Sequence, residues 1–366
     1  MSVGGKGLVQ EIDGIPIRKI LIIHFMGIGD VLFTTPLVRE VKAAFPEAEL
    51  VYLTSTSCAP VIRYHPCADR IIAWPWPARP WVALKRLRLI LGSLELRRER
   101  FDLIFITHRS RWFNLLGAFI GGRIRVGYNF RGQGILLHRK VPLEENRYAL
   151  EHYLRLLDPL GIRPGEEPRL ECHTSAEDEA FGERFWSEHG LLGKCVVALQ
   201  PGGARNLGMD LGIKRWLPEY FGAVAGHLVR ECGVRVMLVG GPDDRVFSDQ
   251  AKRACPTDLL DVTGQISLGR LAAILRRCSL FLGNDSGPLH IAAGVGTATL
   301  SVFGPTQPEF FAPRGPRHRH IVSEVPCAPC FTYGNPPPCP NDHQCMRSIT
   351  PDNVFRVARE MLATKF

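Results

Sequence analysis

No apolar run in this 366-residue chain approaches the ~18 residues that a membrane-spanning helix needs. The opening stretch MSVGGKGLVQEIDGIPIR lacks the apolar core of a secretory signal, so a cytoplasmic chain is expected. Cysteine is sparse. Seven of the eleven stand singly (Cys58, Cys67, Cys172, Cys195, Cys232, Cys255, Cys278), which suits reduced, buried thiols and excludes a disulfide-knotted scaffold. Disorder and a collagen repeat are excluded by 45% apolar and 22% charged residues, an ordinary globular balance. Acidic residues are scarce in one half only. Residues 1–165 hold 24 Lys+Arg against 14 Asp+Glu (+10), and residues 166–366 hold 21 against 22 (−1). An anionic partner for the first half follows: nucleic acid, an acidic membrane surface or a phosphorylated substrate. A solvated basic face without a partner is the other reading.

What is present is a strand–helix rhythm. Short β-branched runs at Lys19–His24, Glu49–Leu53, Arg70–Trp74, Asp102–Thr107 and Ile124–Tyr128 read as buried strands, with helical stretches between most of them. One helix is expected from Asp30 through Leu32, Leu37, Val41 and Phe45, with Pro36 early in it. Pro164-Gly165-Glu166-Glu167-Pro168 marks a domain boundary. The rhythm then restarts, with strands expected at Cys195–Gln200, Arg235–Val239, Leu259–Val262, Ser279–Gly283 and Thr297–Phe303, and helices at Trp216–Glu231 and Leu268–Arg277. The expected organisation is a first domain over 1–165, a second over 166–350 and a final helix over 351–366. Such alternation implies α/β architecture with parallel sheets. One segment departs from it. Trp74, Trp76 and Trp81 precede a basic helix bearing Lys85, Arg86, Arg88, Arg97, Arg98 and Arg100 beside Leu84, Leu87, Leu91 and Leu94. That composition suits either a membrane surface or an ordinary packed amphipathic helix.

Ligands of open α/β sheets bind at the carboxyl ends of strands, and two loops there stand out. In His24-Phe-Met-Gly27-Ile-Gly29-Asp30 the glycines admit a close backbone approach, and Asp30 is placed either as a base or as a helix cap. The third glycine of a dinucleotide fingerprint is missing. In Asn284-Asp285-Ser286-Gly287-Pro288-Leu289-His290 a strand runs into a helix that Pro288 begins, and the amides there, with the Ser286 hydroxyl, form an anion site or a plain capped turn.

These loops resemble glycosyltransferase family 9, the heptosyltransferases of lipopolysaccharide core assembly. The likeness runs in order over residues 19–310: Gly29-Asp30-Val-Leu-Phe-Thr34-Thr35-Pro36-Leu37, then Phe45-Pro46-Glu-Ala. Gln200-Pro201-Gly202-Gly203-Ala204 follows with Lys214-Arg215-Trp216-Leu217-Pro218, then Asn284–His290 and Phe303-Gly304-Pro305-Thr306. One extra residue separates Trp216 from Pro218, and Arg205–Ile213 is long for the family pattern. The resemblance implies a GT-B fold, two Rossmann-like domains facing each other across a cleft. It implies an inverting, metal-independent transfer of heptose or a related sugar from ADP-heptose to a lipopolysaccharide core acceptor. The first domain would hold the acceptor, with Asp30 as general base. The second would hold the donor through Lys214, Arg215, Asp285, Ser286, Gly287 and His290, with Gly27, Gly29, Gly202 and Gly203 shaping the loops. The acceptor would be an anionic lipid-linked saccharide at the cytoplasmic face of the inner membrane, with the enzyme peripheral to it and no nucleic acid involved. No cofactor would be required. The lack of an Asp-x-Asp pair facing the nucleotide agrees with a lysine and helix amides replacing Mg²⁺.

Cys327, Cys330, Cys339 and Cys345 form a C-x2-C-x8-C-x5-C loop, open to a metal, to disulfides or to free thiols. Two other functions compete: a GT-B-like sugar-nucleotide epimerase and an RNA-binding module. The latter lacks the aromatic ribonucleoprotein motif and a zinc-knuckle spacing.

Overall fold

Ile20, Leu21, Ile22 and Ile23 are buried, and so are Val196 to Leu199 and Leu280 to Leu282 in the later half. Runs apolar on both faces belong to parallel strands covered by helices on each side. The computed structural model describes residues 10–75, 83–144, 146–165, 167–206, 209–332 and 336–364, and of 83–90, 206 and 209 the backbone alone. The chain forms two compact units, Met1–Arg169 and Leu170–Phe366.

The first unit runs β1 (Glu11–Ile12), β2 (Ile15–Pro16), β3 (Lys19–Ile23), α1 (Ile28–Phe33), α2 (Thr35–Ala44), β4 (Glu49–Ser55), β5 (Arg70–Trp74), α3 (Ala83–Arg98), β6 (Leu103–Ile106), α4 (Arg111–Ile120), β7 (Ile124–Tyr128), β8 (Arg139–Val141) and α5 (Ala149–Leu154). The second runs α6 (Ala176–Glu188), β9 (Val196–Gln200), β10 (Arg205–Asn206), β11 (Met209–Asp210), α7 (Pro218–Cys232), β12 (Arg235–Leu238), α8 (Arg245–Ala254), β13 (Leu260–Asp261), α9 (Leu268–Leu275), β14 (Leu280–Asn284), α10 (Gly287–Gly294), β15 (Thr299–Phe303), α11 (Pro308–Phe311), β16 (His318–Val322), α12 (Gln344–Arg347) and α13 (Pro351–Ala363). Each unit is built on a six-stranded sheet, ordered β5-β4-β3-β6-β7-β8 in the first and β13-β12-β9-β14-β15-β16 in the second. All pairings within both are parallel. Numbered within its own unit, each sheet has the doubly wound order 3-2-1-4-5-6. Its switch point lies between the first strand and the fourth, where such sheets open a crevice for ligands.

Differences from the sequence reading have local causes. β8 and β16 escape it because they are outer strands: Arg139-Lys140-Val141 and His318-Arg319-His320 carry polar side chains where central strands carry apolar ones. The single helix expected from Asp30 is two, α1 and α2, broken at Thr34. Pro36 has no N–H for the Leu32 carbonyl; the Thr35 hydroxyl donates to it instead at 2.7 Å, and the Thr34 hydroxyl donates to the Val31 carbonyl at 2.7 Å. The long stretch Arg205–Ile213 begins as an antiparallel hairpin, β10 with β11. α13 packs on α7, with Val354, Phe355, Val357, Ala358 and Met361 in the second unit's core. Of the aromatic, basic segment, Trp76, Arg79 and Trp81 lie outside the described residues. Trp74 faces inward: it packs on the first core, its ring 6.1 Å from that of Phe25. Among the described residues no helix is long and apolar enough to cross a membrane.

Gly222 sets the approach of α7 to α8. A Cβ there would stand 2.2 Å from the Ala251 carbonyl oxygen, a backbone atom that cannot swing aside. Alanine at an open helix site gains about 1 kcal/mol over glycine. At Gly222 the overpacking dominates, and Gly222→Ala is expected to cost about 1–3 kcal/mol. Denaturant unfolding checks the sign; a raised midpoint would contradict this packing.

Candidate active site

In the first unit the switch point is bounded by the loops after β3 and β6. Gly27 turns the chain into α1 with φ +79°, and a Cβ on it would collide with the Asp30 carboxylate, 2.1 Å from Oδ2. Asp30 sits in the first turn of α1, as does Gly29, and its side chain makes no capping hydrogen bond. The half-buried carboxylate forms no hydrogen bond or ion pair with any described residue. The capping alternative therefore has no bond to stand on.

Beneath this loop lies a buried polar layer that the sequence reading did not single out. His24 Nε2 donates to the Met26 carbonyl at 2.9 Å, and Nδ1 lies 2.7 Å from the Thr107 hydroxyl. His108 stacks on His24 at 4.6 Å and accepts the Phe25 N–H at 2.9 Å. Burial lowers the pKa of His24 against the pull of Asp30. Burial lowers that of His108 further, helped by His24 and Arg109. Burial thus disfavours the charged form of both rings. Their signal in the sequence is a histidine closing an apolar run, at His24 and again just past β6 at His108.

In the second unit the loops after β9 and β14 meet at one buried amide. The Asn284 side chain donates to the Gly202 carbonyl at 2.9 Å and accepts the Trp216 N–H at 2.8 Å. Trp216, fully buried, donates its indole N–H to the Ile349 carbonyl at 3.0 Å. These bonds fix the segment carrying Lys214 beside the end of β14. Lys214 Nζ then donates to Asp285 Oδ2 at 2.7 Å, with side chains 13% and 6% exposed. The Thr306 hydroxyl donates to the same oxygen at 3.0 Å, and His290 Nε2 stands 3.8 Å from the other. Burial alone would raise the pKa of Asp285, but the Lys214 ammonium, with His290, holds it well below the usual carboxylate range. The Phe311 and Phe331 rings flank the ammonium at 5.6 Å each.

The glycine loop is held by its own partners. Gly203 has φ +82°, and its N–H donates to Asp244 at 2.8 Å; a Cβ on Gly202 would strike the Asp244 carboxylate. Ser286 does not cap α10. Its hydroxyl donates to Gln200 Oε1 at 2.6 Å, tying the β14 loop to β9. Arg215 is committed to the loop itself, through the Gly203 carbonyl at 2.9 Å, Asp210 and the face of Phe247. Lys214 and Arg215, adjacent in sequence, thus differ in kind: one cation is held beside a carboxylate at the strand ends, the other staples backbone. Gln200, Thr306, Asp244 and Asn284 join the site beyond the residues expected. Gln200, Asn284 and Thr306 are polar groups at or just past the end of an apolar strand, a signal the sequence does carry, whereas Asp244 precedes α8.

Cys327, Cys330 and Cys339 are exposed and Cys345 is buried; all are free thiols, so disulfides are absent among them. Burial raises Cys345, and the other three thiols raise it further.

The family model of glycosyltransferase family 9 (heptosyltransferase) matches residues 93–339. Among curated proteins, the chain is 27% identical to lipopolysaccharide heptosyltransferase 3 of Escherichia coli, over 78% of this chain and 83% of that one. Among solved structures, it is similar to a family 9 glycosyltransferase from Veillonella parvula DSM 2008, with TM-score 0.81, 23% identity and coverage of 94% and 97%. It is also similar to E. coli ADP-heptose lps heptosyltransferase II, with TM-score 0.77, 20% identity and coverage of 95% and 99%. The two doubly wound units are the Rossmann-like domains of the GT-B fold. The match spans more than half of the chain, and the chain belongs to glycosyltransferase family 9, the heptosyltransferases.

Proposed function

We propose that this glycosyltransferase moves a heptose from ADP-heptose to a saccharide of the lipopolysaccharide core, with inversion at the anomeric carbon. Family membership sets aside the epimerase and the nucleic-acid module. Asp30 carries the mechanistic reading, because it is a carboxylate at a switch point, turned over a glycine, with no hydrogen bond or ion pair to a described residue. As the acceptor hydroxyl attacks the anomeric carbon, its proton passes to Asp30. The bond between that carbon and the diphosphate oxygen breaks, and ADP leaves with the electron pair. Lys214 and the amides about Gly287, at the N-terminus of α10, offset the charge growing on the diphosphate. Asp285, itself contacted by Thr306 and His290, holds the ammonium in place. The acceptor is an anionic, lipid-linked saccharide at the cytoplasmic face of the inner membrane, and the +10 first half suits its phosphates.

Asp30→Asn should lower turnover ~10²–10⁴-fold, the usual contribution of a general base, while ADP affinity stays within a few-fold. Steady-state transfer with ADP-heptose and a core acceptor measures it; near-normal turnover would remove Asp30 from the chemistry.

A charge-assisted hydrogen bond contributes about 1.5–3 kcal/mol, so Lys214→Ala should weaken ADP binding ~10–10²-fold. Arg215→Ala should affect thermal stability more than ADP binding, because its guanidinium is bonded to the loop. Calorimetric titration with ADP, paired with melting curves, separates the two. Equal ADP affinity in wild type and Lys214→Ala would sink the assignment.

A further inference from the structure

We infer that the outer face of α4 is the surface by which the first unit rests on an anionic bilayer, with Trp112, Leu115 and Phe119 entering the headgroup layer. The inference rests on the lipid-linked acceptor proposed above. α4 is anchored from one side only. Phe113, Gly117 and Ile120 are buried, and Gly117 lies so close to β6 that a Cβ would reach Ile106 at 2.4 Å. Trp112, Leu115 and Phe119 fall on the opposite side, within one narrow stripe of the helix, and are 64%, 45% and 43% exposed. Three large apolar side chains aligned outward on one helix go beyond the scattered exposure of an ordinary surface. More apolar groups stand out on the elements against it. α3 packs beside α4 and exposes Leu91 and Leu94. The loop after β7 is bonded to α4 through Gln133, which accepts the Arg111 N–H and the Asn114 amide, and it exposes Ile135.

The charge around the stripe has one sign. Arg97, Arg98, Arg111 and Arg131 lie on these same three elements, all exposed. None forms an ion pair with a described residue; Arg97 instead donates to the Phe119 carbonyl at 2.7 Å. Residues 91–135 hold eight arginines against Glu95, Glu99 and Asp102, a balance of +5. Tryptophan and bulky apolar side chains ringed by unpaired arginine match an anionic headgroup layer, apolar groups meeting the acyl boundary and guanidinium groups the phosphates. A second copy laid on this face would set four uncompensated arginines against four more.

The test is flotation of the full chain with vesicles of phosphatidylcholine alone or mixed with phosphatidylglycerol, across a salt series. Three variants accompany wild type: Trp112→Ser/Leu115→Ser/Phe119→Ser, Arg98→Glu/Arg111→Glu/Arg131→Glu, and a control in the second unit, Arg184→Glu/Arg253→Glu/Arg317→Glu. Melting curves certify each fold. Wild type and the control should float with anionic vesicles at low salt and release as salt screens the charge. At roughly fivefold per basic residue, loss of the three cations alone should lower partitioning by at least ~10²-fold in the arginine variant. The serine variant should lose the binding that persists at high salt. No flotation of wild type, or equal flotation of all four proteins, would overturn the inference. So would loss in the control as large as in the arginine variant, or a serine variant that turns a dimer into a monomer. Transfer to a soluble, deacylated core saccharide should be equal in wild type and the α4 variants. Its failure in wild type would count against the proposed reaction and leave the flotation result standing.

Discussion

A buried carboxylate is tolerable only when something cancels its charge, and in the second unit Asp285 meets that constraint by drawing Lys214 onto it. The pair organises what surrounds it. Thr306 and His290 are placed on the carboxylate, and the aromatic rings of Phe311 and Phe331 crowd the ammonium. Removing one partner of such a pair typically costs about 3–5 kcal/mol, because the other charge is left alone in a poor dielectric. A flexible lysine loses entropy on being fixed, and the pair fixes the Lys214 ammonium at the end of β14; under the proposed mechanism that is the cation which meets the leaving diphosphate.

Asn284 makes the pair possible. Its amide reaches the loop after β9 and the Trp216 N–H at once, so three segments far apart in sequence converge on the end of one strand. The first unit solves the matching problem by different means. Asp30 is held by backbone, through Gly27 and the short helix α1, and burial lowers the pKa of His24 against its pull. One carboxylate is left without a hydrogen-bond partner among the described residues, while the other is paired with a lysine.

Much of the fold was legible because central strands betray themselves. KILII and VVALQ are apolar but for Lys19 at one end and Gln200 at the other, and both lie at the middle of their sheets. β8 and β16 were not legible, since an outer strand with polar side chains gives no apolar run. The division of the Asp30 helix was hidden because threonine hydroxyls replace the bond that Pro36 cannot make, leaving the apolar period intact across the break. At the site, motif order singles out Asp30, Lys214, Asp285, Ser286 and His290 as candidates, but not which of them pair or the bonds to Thr306 and Gln200. Nothing local distinguishes Lys214 from Arg215; only the fold sends one to Asp285 and the other to the Gly203 carbonyl. Composition pointed to a membrane through Trp74, Trp76, Trp81 and the basic helix after them; Trp74 packs against the core, Trp76 and Trp81 lie outside the described residues, and the aromatics exposed on α4 are Trp112 and Phe119.

The central claim is that Asp285 acts on the donor through Lys214 and not by touching it. A double-mutant cycle on ADP affinity, using Lys214→Ala, Asp285→Asn and both together, tests this most directly. The account predicts that, once Lys214 is alanine, adding Asp285→Asn leaves the dissociation constant for ADP unchanged within about twofold, non-additivity being the mark of one residue acting through another. Independent losses that multiply in the double variant would contradict it, and would assign Asp285 a contact with the nucleotide of its own.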